Sequence, residues 1–316
     1  MDKNILSFCY CFDHKFNLQA YSSMISLLDN VSEKININVI YDKEFYVEDL
    51  PKKISNHKNL MEIKFFEFQN NNMQFPNLNN VHLTEATYYR LFLSEYLNEE
   101  IIIYLDADTI CLKNPVENIR NSIKELIKSE KIIGAKTEYR KSDFTKSEIS
   151  DTSSYFKRLK MNNAYFNAGV MLINLSLWKK YNLQNKFLTS MNELWYEIVQ
   201  WDQDVINSVI DGNYLELDKN INFFPIELSS NSDLKDVLFF HYVGSKKPWL
   251  TSGAFLLGSN FYHENFRKIS KYNFHIEHVW KKASIFELIK SILNLSFFKL
   301  KFKIRYIHDF YKSLRK

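Results

Sequence analysis

The stretch Ile101-Ile102-Ile103-Tyr104-Leu105-Asp106-Ala107-Asp108 decides the fold. Five apolar residues run without alternation and stop at two carboxylates. Such a run suits a strand buried on both faces, as in the parallel sheet of an α/β domain. Ligands of open α/β sheets bind beyond the carboxyl ends of the strands, where these two acids would sit. If the chain stays extended there, Asp106 and Asp108 leave the same face. Converging carboxylates repel unless a cation lies between them, and hard divalent ions such as Mg²⁺ or Mn²⁺ favour oxygen ligands of this kind. Asp-x-Asp is also a common turn tripeptide, so the motif needs support from the rest of the chain.

On either side of that strand, apolar segments alternate with amphipathic ones. Residues 5–12 read as a first buried strand, 35–41 as a second and 61–68 as a third. Residues 16–28 show helical spacing through Leu18, Tyr21, Ile25 and Leu28. Residues 84–97 read as a helix with Tyr88, Leu91, Phe92 and Tyr96 on one side and Arg90 on another. Pro115 breaks the chain, 116–128 is an amphipathic helix and 131–136 another strand. This alternation predicts a doubly wound α/β sheet. Residues 138–163 are polar and weakly patterned, as in a loop or short helices over a binding site.

Composition bounds the function. With 316 residues and 46% hydrophobic content, one large α/β domain or two small ones can bury a sizeable core. The net charge of +4 is too weak to imply a nucleic-acid partner. Residues 279–316 hold ten Lys and Arg against two Asp and Glu, so the basic character belongs to the tail. Three cysteines, Cys9, Cys11 and Cys111, make no disulfide framework and suit a reducing compartment. None of the six glycines forms a phosphate-cradling loop motif, so a nucleotide would have to be held by a metal and cationic side chains. The N-terminal residues do not read as a signal peptide, and no apolar run reaches membrane-span length, so the expected location is the cytoplasm.

Three further motifs carry chemistry. Tyr165-Phe166-Asn167-Ala168-Gly169-Val170 opens an apolar strand with Asn167, which can donate to and accept from hydroxyls, and with Gly169, which allows close backbone approach. A turn Asn entering a strand would look the same. Trp201-Asp202-Gln203-Asp204 reads as a helix start with acids in its first turn. Asp202 could be only an N-cap there, and Asp204 reads as structural. Phe239-Phe240-His241-Tyr242-Val243-Gly244-Ser245-Lys246-Lys247-Pro248-Trp249 ends a strand in a His, a Gly and two Lys. His241 is a candidate third metal ligand, since imidazole beside two carboxylates suits Mn²⁺. Lys246 or Lys247 could neutralise a phosphate.

Together, Asp-x-Asp, FNAG-V, WDQD and H-x-x-G-x-x-K-P-W, in this order, resemble glycosyltransferase family 8, whose bacterial branch includes lipopolysaccharide α-galactosyl- and glucosyltransferases. The resemblance implies a GT-A fold, a Rossmann-like, mostly parallel sheet flanked by helices, over residues 1–275. It implies a retaining transfer of galactose or glucose from UDP-galactose or UDP-glucose with Mn²⁺, Mg²⁺ being possible. The metal would be held by Asp106, Asp108 and His241, and the diphosphate by Lys247 and Gly244. Arg90 and Ala107 would lie near the donor, and Asn167, Asp202 and Gln203 would contact its sugar. Gln203 beside the anomeric carbon, with Asp202 next to it, would be the catalytic pair. Cys11, Asp13 and Phe16 would cradle uridine, although Cys11-Phe12-Asp13-His14-Lys15-Phe16 departs from the branch's usual Ala-Ala-Asp-Asp-Asn-Tyr. Glu138 is the candidate acceptor contact, the acceptor being an oligosaccharide or glycolipid.

Residues 276–316 form a separate basic amphipathic segment. Ile285, Leu288, Ile289, Ile292 and Leu293 share one helical face, and Leu300, Ile304, Ile307, Tyr311 and Leu314 extend the pattern. This fits a helix lying on an anionic surface, peripheral on the inner face of the plasma membrane; a helix pair packed on the domain or a partner is the other reading. Two rivals to the transferase remain. Asp106-Ala107-Asp108-Thr109 also fits the first motif of haloacid-dehalogenase-like phosphohydrolases, with Asp106 as nucleophile. A non-catalytic sugar-binding homologue could keep the fold. Oligomeric state stays open.

Overall fold

The computed structural model describes residues 5–78, 84–151, 153–228 and 230–315. Among the described residues nine strands run in chain order: β1 (Ser7–Phe12), β2 (Ile35–Tyr41), β3 (Leu60–Glu67), β4 (Ile101–Leu105), β5 (Thr109–Cys111), β6 (Ile133–Arg140), β7 (Ala164–Asn174), β8 (Leu215–Glu216) and β9 (Phe239–His241). Seven form one sheet in the order β3-β2-β1-β4-β7-β6-β8. β1, β2, β3 and β4 are mutually parallel along the sheet, and β8 is parallel to β6. β7 runs antiparallel to both neighbours. The sheet is therefore mixed but mostly parallel, with β1 and β7 buried along their whole length. Helices cover both faces, as unalternating apolar strands require. Asn17–Asn30 packs on one side with Val116–Lys128, and Trp201–Ile210 lies on the other.

Two local expectations change. Residues 85–92 form a 3₁₀ helix, Glu85–Phe92, and only Leu93–Tyr96 is α-helical. Aromatic and β-branched residues in Ala-Thr-Tyr-Tyr give weak α-propensity, and eight residues is long for a 3₁₀ run, a feature that marks strained or functional segments. The strand expected at 131–136 extends to Arg140, so Glu138 sits on β6. The polar segment beyond it contains two short helices, Lys146–Ser150 and Tyr155–Arg158.

The C-terminal segment folds against the domain. Phe297, Leu300, Tyr306 and Phe310 are buried with Ala254 and Phe274, and Leu288 and Leu314 pack on that cluster. Asp309 accepts from the backbone N–H groups of Asn273 and Phe274. The apolar stripe read from the sequence is thus divided. Part turns inward, while Ile289, Leu293, Ile304 and Tyr311 stay exposed, as does Phe286 outside the stripe. No helix among the described residues is long and apolar enough to cross a membrane.

Asp204 anchors the start of the helix Trp201–Ile210. It is fully buried, pairs with Arg158 at 2.7 Å, and accepts from Tyr165 Oη and from the backbone N–H groups of Val199 and Gln200. Removing one partner of a buried pair leaves an uncompensated charge, which costs about 3–5 kcal/mol. Asp204→Ala should lower unfolding free energy by about that amount in urea titration. A change below about 1 kcal/mol would show that the pair is not a structural anchor.

Candidate functional site

The site forms where β4 ends. Asp106 and Asp108 do not continue the strand: Asp106 O accepts from Thr109 N at 3.2 Å and from Thr109 Oγ1 at 2.8 Å, closing a turn. The turn, rather than strand alternation, brings the two carboxylates together. It is fixed on one side by Asp106 N donating to Gly169 O at 2.8 Å. On the other, β5 pairs antiparallel with β9, placing Thr109 opposite His241. His241 Nε2 then lies 3.2 Å from Asp108 Oδ1 and 3.7 Å from Asp106 Oδ2.

One ligand atom from each of Asp106, Asp108 and His241 falls within 4.8 Å of the others, and no other such trio exists among the described residues. Gly169 makes room for it. A Cβ there would stand 2.1 Å from His241 Cε1 and 2.8 Å from Asp106 Oδ2. Two carboxylates and an imidazole, converging over a backbone that has no side chain, fit a divalent ion of the Mn²⁺ type.

Cations already balance part of this charge. Arg90 is buried in the 3₁₀ helix, with Nη2 2.8 Å from Asp106 Oδ1 and Nε 2.8 Å from Asp202 Oδ2. Its Nη1 donates to Ala168 O at 2.7 Å, and its guanidinium lies over the Tyr104 ring. The Tyr104 hydroxyl donates to Asp106 Oδ1 at 2.9 Å. Lys247 Nζ reaches Asp108 Oδ2 and the Tyr242 carbonyl, each at 2.5 Å. Burial alone would raise Asp108, but Lys247 and His241 outweigh it and hold the carboxyl below its usual range.

The other expected residues gather here with different partners. Asp202 is not an N-cap; that position is Gln200. Asp202 is buried, accepts from Thr87 Oγ1 at 2.6 Å and pairs with Arg90. Burial raises its carboxyl to about 6 despite the guanidinium. Gln203 Oε1 accepts from Ala168 N, and Gln203 Nε2 donates to Tyr165 Oη. Asn167 donates to Glu138, whose carboxyl is raised by burial. Cys11, Phe16, Arg90, Asp106, Ala107, Asp108 and Lys247 line one cavity of about 130 Å³. Asp13 instead caps the turn His14–Phe16, which carries Phe16 to that cavity, by accepting from Lys15 N. Gly244 and Glu138 border a second cleft of about 780 Å³. Thr87, Tyr104 and Asn222 also belong to the site and were not singled out from the sequence. Thr87 lies three residues before Arg90, a spacing that places both on one 3₁₀ face; Asn222 belongs to no motif.

The raised Asp202 carboxyl predicts a pH signature. Its protonated form is favoured in the folded chain, so its contribution to stability is fully present below the ordinary carboxylate range and is lost as pH rises through about 6. Asp202→Asn stays neutral throughout. The stability of Asp202→Asn relative to the unsubstituted chain should therefore increase between about pH 4.5 and 7 and then level off, as measured by urea midpoints. A pH-independent difference would contradict the shift.

Comparison with known proteins agrees with this architecture. The model for glycosyl transferase family 8 matches residues 7–253. A lipopolysaccharide 1,3-galactosyltransferase of Salmonella typhimurium is 30% identical over 195 residues, covering 56% of this chain and 53% of that protein. A lipopolysaccharide 1,2-glucosyltransferase of Escherichia coli is 28% identical, over 75% of this chain and 71% of that one. General stress protein A of Bacillus subtilis is 23% identical over 82% and 92% of the two chains. The fold is shared with the galactosyltransferase LgtC, solved with donor and acceptor sugar analogues. That structure has a TM-score of 0.69 at 20% identity and covers 88% of this chain and 99% of that chain. The match over residues 7–253 supersedes the phosphohydrolase reading, and the chain, with its seven-stranded mixed sheet, belongs to glycosyltransferase family 8.

Proposed function

We propose that this protein is a retaining, Mn²⁺-dependent hexosyltransferase that moves galactose or glucose from a UDP-sugar to a lipopolysaccharide or related glycolipid. The observation that carries the reading is the convergence of Asp106, Asp108 and His241, with the two acids, Lys247 and Arg90 lining one cavity. The names of the Salmonella and Escherichia relatives support the acceptor class and the choice of hexose.

When bound, the ion supplies positive charge against the leaving diphosphate. Lys247, which can exchange Asp108 for a phosphate oxygen, adds to that charge where it develops. Arg90 keeps Asp106 aimed while its own position is fixed by Asp202 and Ala168 O. Phe16 offers an aromatic face to uracil from the cavity wall, with Cys11 behind it and Asp13 setting the turn. Gln203 turns its amide toward the sugar's anomeric face, next to Asn167. There the C1–O bond to diphosphate breaks, the acceptor oxygen bonds to C1 from the same side, and the acceptor's proton passes to the leaving phosphate. Asp202 already serves Arg90 and Thr87, which favours this front-face route over a covalent adduct on Asp202. The cleft beside Glu138, lined also by Phe224, Ile226 and Leu257, is the seat for the acceptor.

The exposed apolar residues Phe286, Ile289 and Leu293, with the surrounding lysines, support a second part of the proposal. Segment 276–316 holds the enzyme on an anionic membrane at the cytoplasmic face, where its three free cysteines stay reduced. Buried Tyr306 and Phe310 make deletion of the segment a poor test, since it would open the domain. In the full chain, the double substitution Phe286→Glu and Leu293→Glu should abolish co-flotation with phosphatidylglycerol vesicles while leaving the thermal midpoint within about 2 °C. Unchanged flotation would refute membrane contact through this face.

The catalytic proposal is tested by UDP release from a panel of UDP-sugars. Slow hydrolysis of UDP-galactose or UDP-glucose is expected with Mn²⁺ and lost with EDTA. Asp108→Asn should lower it by at least about 100-fold, the scale for loss of a charged group acting on the transition state. No release from any donor, with or without a glycolipid acceptor, would instead identify a non-catalytic sugar-binding homologue. A glycosyl adduct on Asp202 would replace the front-face route by double displacement.

A further inference from the structure

A hydrogen-bonded chain runs behind the metal-site histidine, and its direction can be read from one unambiguous donor. The backbone N–H of Gly169 can only donate, and it points at Asn167 Oδ1 at 3.0 Å. That fixes the Asn167 amide: Oδ1 is the acceptor, and Nδ2 faces Glu138 Oε1 at 2.9 Å, a group well suited to accept. The same Asn167 Oδ1 lies 2.9 Å from Asn222 Nδ2, so the Asn222 amide is fixed in turn. Its oxygen, Oδ1, faces His241 Nδ1 at 3.0 Å. An amide oxygen has no proton to give, so Nδ1 carries the hydrogen. In the neutral imidazole, the form that binds a cation, the lone pair is then on Nε2, the atom facing Asp106 and Asp108.

The three members nearest the metal side are enclosed. Asn222 is fully buried, Asn167 and His241 are nearly so, and the Phe224 ring packs edge-on against the imidazole. Asn222 lies outside every motif and touches neither carboxylate. It follows the 3₁₀ turn Lys219–Ile221, and its neighbour Phe223 bridges to Phe240 of β9, so the backbone that carries Asn222 is tied to the strand that carries His241. We propose that Asn222 is a positioning residue that sets the His241 tautomer and ring orientation for cation binding. The direction of its amide is imposed by Gly169 N–H and Glu138 through Asn167. Glu138 therefore has a role at the metal side as well as at the acceptor cleft.

This inference rests on the proposed metal site, and Mn²⁺ affinity separates the two. Free Mn²⁺ is titrated by electron paramagnetic resonance in the full chain, in Asn222→Ala, in His241→Ala and in the double variant. Loss of an outer partner of a metal-ligating histidine typically weakens binding by about 10–100-fold, and that loss is expected for Asn222→Ala. In the His241→Ala background the further loss should fall below about twofold, because Asn222 acts through the imidazole. Asn222→Asp, which keeps an oxygen against Nδ1, should bind more tightly than Asn222→Ala. If His241→Ala weakens binding but Asn222→Ala does not, or if the Asn222→Ala loss persists in full without His241, the positioning role is overturned while the metal site stands. If the unsubstituted chain binds no Mn²⁺, the metal reading fails and the inference with it. Should Asn222→Ala fail to fold, ¹⁵N-histidine spectra of the unsubstituted protein with Cd²⁺ as diamagnetic ion decide the matter. Protonated Nδ1 with ligated Nε2 is expected, and protonated Nε2 would overturn the proposal.

Discussion

Repulsion between Asp106 and Asp108 is the constraint on which the rest of the site depends. A turn at the end of a buried strand presses two carboxylates together with a third, Asp202, close behind. The chain supplies two full cations in return, Arg90 and Lys247, with His241 between the acids. With all three acids ionised, one negative charge remains unmatched by Arg and Lys. The site is therefore built to accept a cation, and the ion pairs stop its walls from flying apart before the cation arrives. Arg90 has no freedom in this: buried between two carboxylates, a carbonyl and an aromatic face, it fixes the 3₁₀ segment to β4, β7 and the helix Trp201–Ile210 simultaneously.

The antiparallel strand β7 serves that constraint within a mostly parallel sheet. Its Gly169 must lie beside the end of β4, where it accepts from Asp106 N and leaves space for the His241 ring. A strand pair that shares this edge brings the Asn167–Gly169 segment and the Asp-x-Asp turn together with no intervening loop. The short β5–β9 ladder then delivers His241 from the opposite side. Three segments far apart in sequence thus meet through backbone pairing, and the side chains need little freedom to find their places.

Much of this was legible in the chain itself because strands buried on both faces write themselves as apolar runs, and chemistry at their ends writes itself as polar residues directly after. Ile101–Leu105 with Asp106 and Asp108, and Phe239–Phe240 with His241, are cases of that grammar. The signal fails where geometry depends on pairing. The Asp106–Thr109 turn cannot be told from an extended segment by spacing alone, and the 3₁₀ form of Glu85–Phe92 differs from an α-helix by half a residue per turn. Asn222 was invisible for a stronger reason. Its function comes from the register of β9 and from the amide direction of Asn167, neither of which leaves a trace in local sequence.

The WDQD segment shows how differently two acids can be used on one helix. Successive helical residues are about 100° apart, so Asp202 and Asp204 point about 200° apart, to opposite sides. Asp204 turns inward to Arg158 and the backbone ahead of the helix, where its charge is fully enclosed by donors. Asp202 turns to Arg90, where burial outweighs the pairing and pushes its carboxyl up to about 6. One acid stabilises the fold, and the other strains it slightly to keep a guanidinium in place. Gln203, between them, has its carbonyl pinned by Ala168 N and its amino group by Tyr165 Oη, the same hydroxyl that donates to Asp204. The structural acid thus sets the orientation of the neighbouring glutamine through one tyrosine. The precision with which this glutamine is held is inherited from the core rather than from the site.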